Sequence, residues 1–153
     1  MKRPFTLIVV ALMQTTAAYA DLKPKDAAPM SADEIRRLYA DHTAVFGPKA
    51  SAFFGADGKV KGLANGGAFA GVWEVKGNEL CMNTSGFDKK TKTFGKKLSS
   101  DCWQWVKSGD VSWTLYSKAW DNKKQDLVKG WYKEDHLKAG DLVSEKFKAI
   151  VGN

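Results

Sequence analysis

Residues 71–83 read GVWEVKGNELCMN. Taking Gly77-Asn78 as a two-residue turn sets Lys76 opposite Glu79, Val75 opposite Leu80 and Trp73 opposite Met82. Opposite charges then meet beside the turn and the apolar side chains share one face, so turn chemistry and cross-strand pairing agree. Cys81 falls on the other face with Glu74, because side chains alternate along a strand. A hairpin this consistent at the centre of the chain points to antiparallel β structure on both sides of it.

Upstream, Phe53-Phe54-Gly-Ala-Asp57-Gly58-Lys-Val60 places an Asp-Gly turn between two short apolar pieces, a second hairpin. Downstream, CWQWVKSGDVSWTLY (102–116) is a third. A turn at Ser108-Gly109 pairs Lys107 with Asp110 and Val106 with Val111. One face then carries Cys102, Val106, Val111, Trp113 and Leu115, and the other Trp103, Trp105 and Tyr116 with Ser112 and Thr114. A strand apolar on both faces is buried on both or lines a cavity on one. A one-residue slip would instead gather Trp103, Trp105 and Trp113 on one face, and pattern alone leaves that register open. A loop over 117–126 and a strand over Leu127–Lys133, bearing Trp131 and Tyr132, follow.

Helical signals are confined to the ends. Ser31-Ala-Asp-Glu34 is a capping box, and Ile35, Leu38, Tyr39 and His42 follow at helical spacing, so a short amphipathic helix is expected over about 31–41. His42 would stand at its end, where the helix dipole favours a cation. Leu142, Val143, Phe147 and Ile150 have roughly helical spacing behind Asp141, a candidate N-cap; a strand is the alternative there.

The first 20 residues read as an address. Lys2 and Arg3, an apolar run from Phe5 to Met13 and the Ala18-Tyr19-Ala20 ending form the pattern of a secretory signal peptide. The run is too short to span a bilayer, and no later stretch is apolar enough. Removing this leader lowers the formal charge from +7 to +5. Residues 21–30, DLKPKDAAPM, read as a flexible arm, which leaves 31–153 as a single β-barrel-like domain. Cys81 and Cys102 are the only cysteines, and in an exported protein an even pair is most simply one disulfide. Without a CxxC and with His42 and His136 remote, a metal or redox pair is the weaker alternative. Short strands, tight turns, one N-terminal helix and one disulfide fit a mainly β protein, a small antiparallel β-barrel or half-barrel.

SADEIRRLYADHT, FFGADGKVKG, GVWEVKGNELC and CWQWVKSGDVSW occur in that order between residues 31 and 120. As a set they resemble a family of small exported alpha-proteobacterial proteins, a domain of unknown function with a lipocalin-like pattern. The resemblance implies a Gram-negative envelope setting and a β-barrel-like fold. It assigns no catalytic or binding residue.

Motifs of catalysis are missing. There is no G-x-S-x-G, H-E-x-x-H or P-loop, and His42 and His136 are the only imidazoles. Glu74 and Glu79 flank a turn and serve the hairpin better than a glycosidase pair, while Asp121 and Asp126 lack calcium-loop spacing. No cofactor or metal is expected, and a glycan-acting enzyme is the least favoured class.

Charge is more telling. Residues 85–100, SGFDKKTKTFGKKLSS, hold Lys89, Lys90, Lys92, Lys96 and Lys97 against Asp88 alone, a net +4 interleaved with Phe87 and Phe94. Such a run is either a solvated hairpin tip or an anion-binding surface. The tryptophans offer a second set. Trp73 and Trp113 read as core; Trp103, Trp105, Tyr116 and Trp131 are either core or the lining of a pocket for an apolar or glycan ligand. The favoured reading is a non-catalytic periplasmic or secreted binding or accessory domain for an acidic glycan or lipid. The alternative is an envelope interaction or inhibitor module that has a filled core and acts on an acidic protein through loop 85–100. Nucleic acid is not an expected partner.

Overall fold

The computed structural model describes residues 23–96, 99–121 and 126–152. The leader expected over 1–20 lies outside them. In chain order the elements are β1 (Ala28–Pro29), α1 (Ala32–Tyr39), β2 (His42–Gly47), β3 (Ala50–Phe54), β4 (Lys59–Ala64), β5 (Gly67–Lys76), β6 (Glu79–Asp88), β7 (Thr93–Phe94), β8 (Ser99–Ser108), β9 (Val111–Asp121), β10 (Asp126–Lys133), β11 (Leu137–Ala139) and α2 (Ser144–Val151).

The capping box forms as read. Ser31 Oγ accepts from the Glu34 backbone N–H at 3.3 Å, and the Glu34 carboxylate accepts from the Ser31 N–H at 2.8 Å. Hydrogen bonds from Lys107 and Ser31 hold the Glu34 carboxyl down at about 2. The helix ends earlier than expected, because the chain leaves helical geometry at Ala40, with ψ 128°, and Asp41 at φ 57° completes the turn into β2. His42 therefore opens β2 and does not sit on the helix end; its Nδ1 is 2.8 Å from the Ala40 carbonyl oxygen.

The strands build one antiparallel sheet in the order β10-β9-β8-β6-β5-β4-β3-β2-β11, with β1 added on β8 and β7 on β6. The sheet curls into a half-barrel. Its two edge strands, β10 and β11, are consecutive in sequence. The residues between them bond both ways: Glu134 N–H donates to the Ser112 carbonyl and the His136 carbonyl accepts from Val45 N–H, each at 2.9 Å.

The central hairpin has the expected register, with Lys76 opposite Glu79, Val75 opposite Leu80 and Trp73 opposite Met82. The turn between β8 and β9 is Gly109-Asp110, not Ser108-Gly109. Ser108 pairs with Val111 and Val106 with Trp113, a shift of two residues. The physical reason is Gly109, whose φ of 56° suits the first central position of a two-residue turn; the expected turn would have put serine there. A shift of two preserves side-chain alternation. Trp103 and Trp105 therefore keep the face they were assigned, and Trp113 stays opposite. Asn65-Gly66, at φ 49° and 77°, makes a further two-residue turn between β4 and β5 that pattern reading passed over.

The inner face of the sheet is the core. Phe54, Val60, Trp73, Val75, Leu80, Met82 and Trp105 line it, and α1 closes it with Ile35 and Tyr39. Ala44, Ala52 and Gly62 share one cross-strand row with Phe69, and these small residues give its ring space. A Cβ on Gly62 would stand 2.0 Å from the Phe69 ring. Cys81 and Cys102 face each other across β6 and β8 with sulfurs 2.07 Å apart, the expected disulfide.

Three further regions bear on expectation: the two ends and residues 117–126. The arm over 21–30 is docked where it is described: Ala28 and Pro29 pair with Lys107 and Val106, and Met30 is buried in the core. This covers the part of the β8 edge that β6 does not reach. The tail, read as helix or strand, holds both: a short strand, β11, and then a helix where the helical spacing lay, which adds a second helix to the one counted in the fold class. The stretch read as a loop over 117–126 is largely strand, with β9 running to Asp121.

Candidate functional site

The tryptophan set divides. Trp105 is 1% exposed and packs edge-on against Tyr39, whose ring does the same against Phe54; Phe54 in turn meets Trp73. Trp103 is half-buried against the same cluster. Trp131 does not join them. It pairs with Leu115, which pairs with Gln104, so it lies on the opposite face of the sheet from Trp105, with Lys23 Nζ 5.8 Å above its ring. The expected common pocket of Trp103, Trp105, Tyr116 and Trp131 is thus corrected: alternation sends Trp131 outward and core packing claims Trp105. The Tyr116 side chain lies outside those described. Tyr132 is the aromatic that shares the inner row with Trp105, through Thr114. Trp105 Nε1 and Thr114 Oγ1 are buried without a hydrogen-bond partner among the described residues, so this row keeps a polar spot within the core.

The lysines are held more firmly than a solvated tip requires. β6 runs on past the main sheet and returns as β7, with Phe87 opposite Phe94 and Asp88 opposite Thr93. Asp88 Oδ1 accepts from the Lys90 N–H at 2.8 Å, and Lys92 completes the turn at φ 53°. The Phe87 and Phe94 rings meet edge-on at 5.3 Å, and Phe94 stacks on Phe147 of α2 at 6.1 Å. Lys89 Nζ donates to the Gly66 carbonyl at 3.1 Å, which ties the hairpin to the β4–β5 turn. Lys89, Lys90, Lys92 and Lys96 are exposed, and none forms an ion pair among the described residues. Lys97 lies outside the described residues.

α2 sits on the outer face of the sheet. None of its residues is buried; polar groups ahead of it hold it in place. Asp141 Oδ1 accepts from the Val143 and Ser144 N–H groups at 3.0 and 2.9 Å; the N-cap position expected for Asp141 is held by Val143, and Asp141 bonds the helix start from two residues ahead of it. Lys61 Nζ reaches Asp141 Oδ2 at 2.7 Å from the adjacent strand. Burial works against ionisation of Asp141, but the bonds from Lys61, Ser144 and the two N–H groups outweigh it and bring its carboxyl down to about 2. Thr43 Oγ1 donates to the Gly140 carbonyl at 2.7 Å and accepts from Leu142 N–H at 3.1 Å. Val143, fully buried, is the apolar anchor beside this latch.

Two grooves flank α2. One, of about 360 Å³, lies toward the basic hairpin and includes Phe53, Lys61, Ala70, Phe94 and Phe147. The other, of about 690 Å³, lies toward the β2–β3 turn. The carboxylates that could have suggested catalysis are engaged otherwise. Glu74 Oε1 accepts from Lys76 at 2.7 Å, and Glu79 Oε1 from Gln104 at 3.2 Å. Glu134 Oε2 accepts from the Tyr39 hydroxyl at 2.8 Å. Among the described residues no three His, Cys, Asp or Glu side chains gather in a way that could hold a metal ion, and no helix is long and apolar enough to cross a membrane.

A family model described as "Protein of unknown function (DUF995)" matches residues 7–149. No curated protein and no solved structure matches the chain.

Proposed function

We propose that this chain, which belongs to the DUF995 family of proteins of unknown function, is a non-catalytic binding or accessory module of the Gram-negative envelope. In this reading it is exported by the leader at 1–20, works in the periplasm or outside the cell, and takes an anionic or amphipathic ligand, an acidic glycan or a lipid. The observation that carries the reading is the braced hairpin. Its described lysines project from a framework fixed by the Phe87–Phe94–Phe147 contacts and form no ion pair among the described residues. Fixed like charges concentrate an anion-attracting field, and exposed aromatic edges beside them suit sugar rings or acyl chains. The Cys81–Cys102 bridge joins the two strands that lead into the basic segment, and it supports an oxidising compartment. A ligand site inside the barrel draws less support, since Trp105 is spent on core packing. The tight aromatic core equally suits the alternative in which an acidic envelope protein docks on the same hairpin.

The test is charge reversal at the tip, with Lys90, Lys92 and Lys96 all changed to Glu. Co-sedimentation with phosphatidylglycerol-containing vesicles and retention on an acidic polysaccharide are measured with full-length mature protein. Binding should weaken with added salt in the wild type and be lost in the variant. Equal retention of both proteins on both matrices would remove the hairpin from the function. Retention of only an acidic envelope protein would select the docking alternative.

A further inference from the structure

The larger groove beside α2 differs in character from the hairpin tip. Its floor is the outer-face row in which Val45, Ser51 and Leu63 are cross-strand neighbours. Its wall is Leu142, Ala149 and Ile150. Leu142 is 61% exposed, a large apolar side chain left at the surface beside the cleft. Lys49 and Lys146 stand in the lining, and Lys89 bonds the carbonyl of Gly66, another lining residue. No aspartate or glutamate is among the lining residues.

We infer that this groove binds a single-chain anionic amphiphile, an acyl chain with a carboxylate or similar head, with the chain along Val45, Leu63 and Ile150 and the head among Lys49, Lys89 and Lys146. The inference rests on the proposed binding function and names its ligand class and seat. Three arguments select this occupant. The volume of about 690 Å³ lies within the range of small-molecule sites. The charge at the rim has one sign only, which fits a ligand with a single anionic end. A peptide laid in the groove would need many backbone hydrogen bonds, and of the two lining hydroxyls that of Thr43 is already committed to Gly140 and Leu142, which leaves Ser51. A methylene chain makes no such demand. The exposed helix that forms one wall is held chiefly through its start and by Phe147, so it can yield to admit a chain.

The probe is cis-parinaric acid, titrated into the full mature chain and followed by its own fluorescence, with palmitate and uncharged hexadecanol as competitors. Saturable binding displaced by palmitate and only weakly by hexadecanol is expected. Lys49→Glu with Lys146→Glu should weaken it at least about tenfold, the effect of losing one good charge contact. Ala149→Trp, at an exposed position of α2, should block the groove. An unchanged melting profile in the lysine pair keeps the test valid if the tryptophan variant folds poorly. No saturable binding up to about 100 μM, or equal affinity in the wild type and the lysine pair, overturns the proposal. Vesicle co-sedimentation separates the two levels. If it persists while parinarate fails to bind, only the groove proposal falls; if both are absent, the wider binding function falls with it.

Discussion

The two helices have the same length, eight residues each, and opposite relations to the sheet. α1 drives Ile35 and Tyr39 into the inner face, where both are almost wholly buried. α2 buries no residue of its own and lies on the outer face, tethered by Asp141, Lys61 and a stack of phenylalanines. The difference teaches that a helix can be a plug or a cover. The plug is held by apolar area, so its loss is felt throughout the fold. The cover is held by a few directional contacts, so its loss can stay local and leave room beside it for a ligand.

Substitutions at each helix can break or sharpen that contrast. The largest effect is expected from Ile35→Ala, which leaves a cavity at a fully buried position and should lower global stability by about 2–5 kcal/mol in denaturant titration. A loss well below that range would mean that α1 is less of a plug than its burial indicates. Next comes the Cys81→Ser and Cys102→Ser pair, at a sequence separation of 21, expected to cost about 3 kcal/mol through the unfolded chain. It should also raise hydrogen exchange in the hairpin that carries Phe94. Ser31 and Asp141, which bond backbone N–H groups at the two helix starts, then compare the helices directly. Ser31→Ala should lower global stability by about 1 kcal/mol. Asp141→Asn should cost a similar amount, about 1 kcal/mol after solvent screening, seen mainly as faster amide exchange within 144–151.

The carboxylates at the two helix starts also have a pH signature. Asp141 has a folded value of about 2 against an ordinary 3.8, and Glu34 about 2 against 4.5. A depressed carboxyl stabilises the fold fully above its ordinary value and loses that contribution as pH falls toward the folded one. Stability should therefore decline between about pH 4.5 and 2, and Asp141→Asn should flatten the decline. An unchanged slope would show that the latch at α2 carries no stability. The smallest effect is expected from Phe147→Ala, under about 1 kcal/mol globally because the site is partly exposed, with the change confined to α2 and the β6–β7 hairpin.

Much of the fold was legible where local signals agreed. At Gly77-Asn78, turn chemistry, charge pairing and apolar pairing all gave one register, and the structure has it. At Ser108-Gly109-Asp110, charge pairing alone favoured the wrong turn; the positive φ that the first turn position demands would have selected Gly109. Strands β2 and β11 escaped because they pair with each other across most of the chain, Ala44 with Leu137, and nothing local announces a partner so distant. The candidate site was half legible. Its lysines and Phe87 and Phe94 stand out in one segment, but Phe147, Lys49 and Lys146 come from segments that only the folded sheet brings near.

The pairing of β2 with β11 also sets the order in which the molecule can be completed. One side of β2 meets β3 as soon as that neighbour is made, while the other waits for residues 137–139, some ninety positions further along. Until then its N–H and C=O groups form an open edge, the kind of surface on which chains pair wrongly with one another. A chain ending at Lys133 would keep that edge permanently and should aggregate, although every strand from β1 to β10 is present in it. The three residues of β11 cover the side of β2 that no other strand reaches, and leave a far shorter edge in its place.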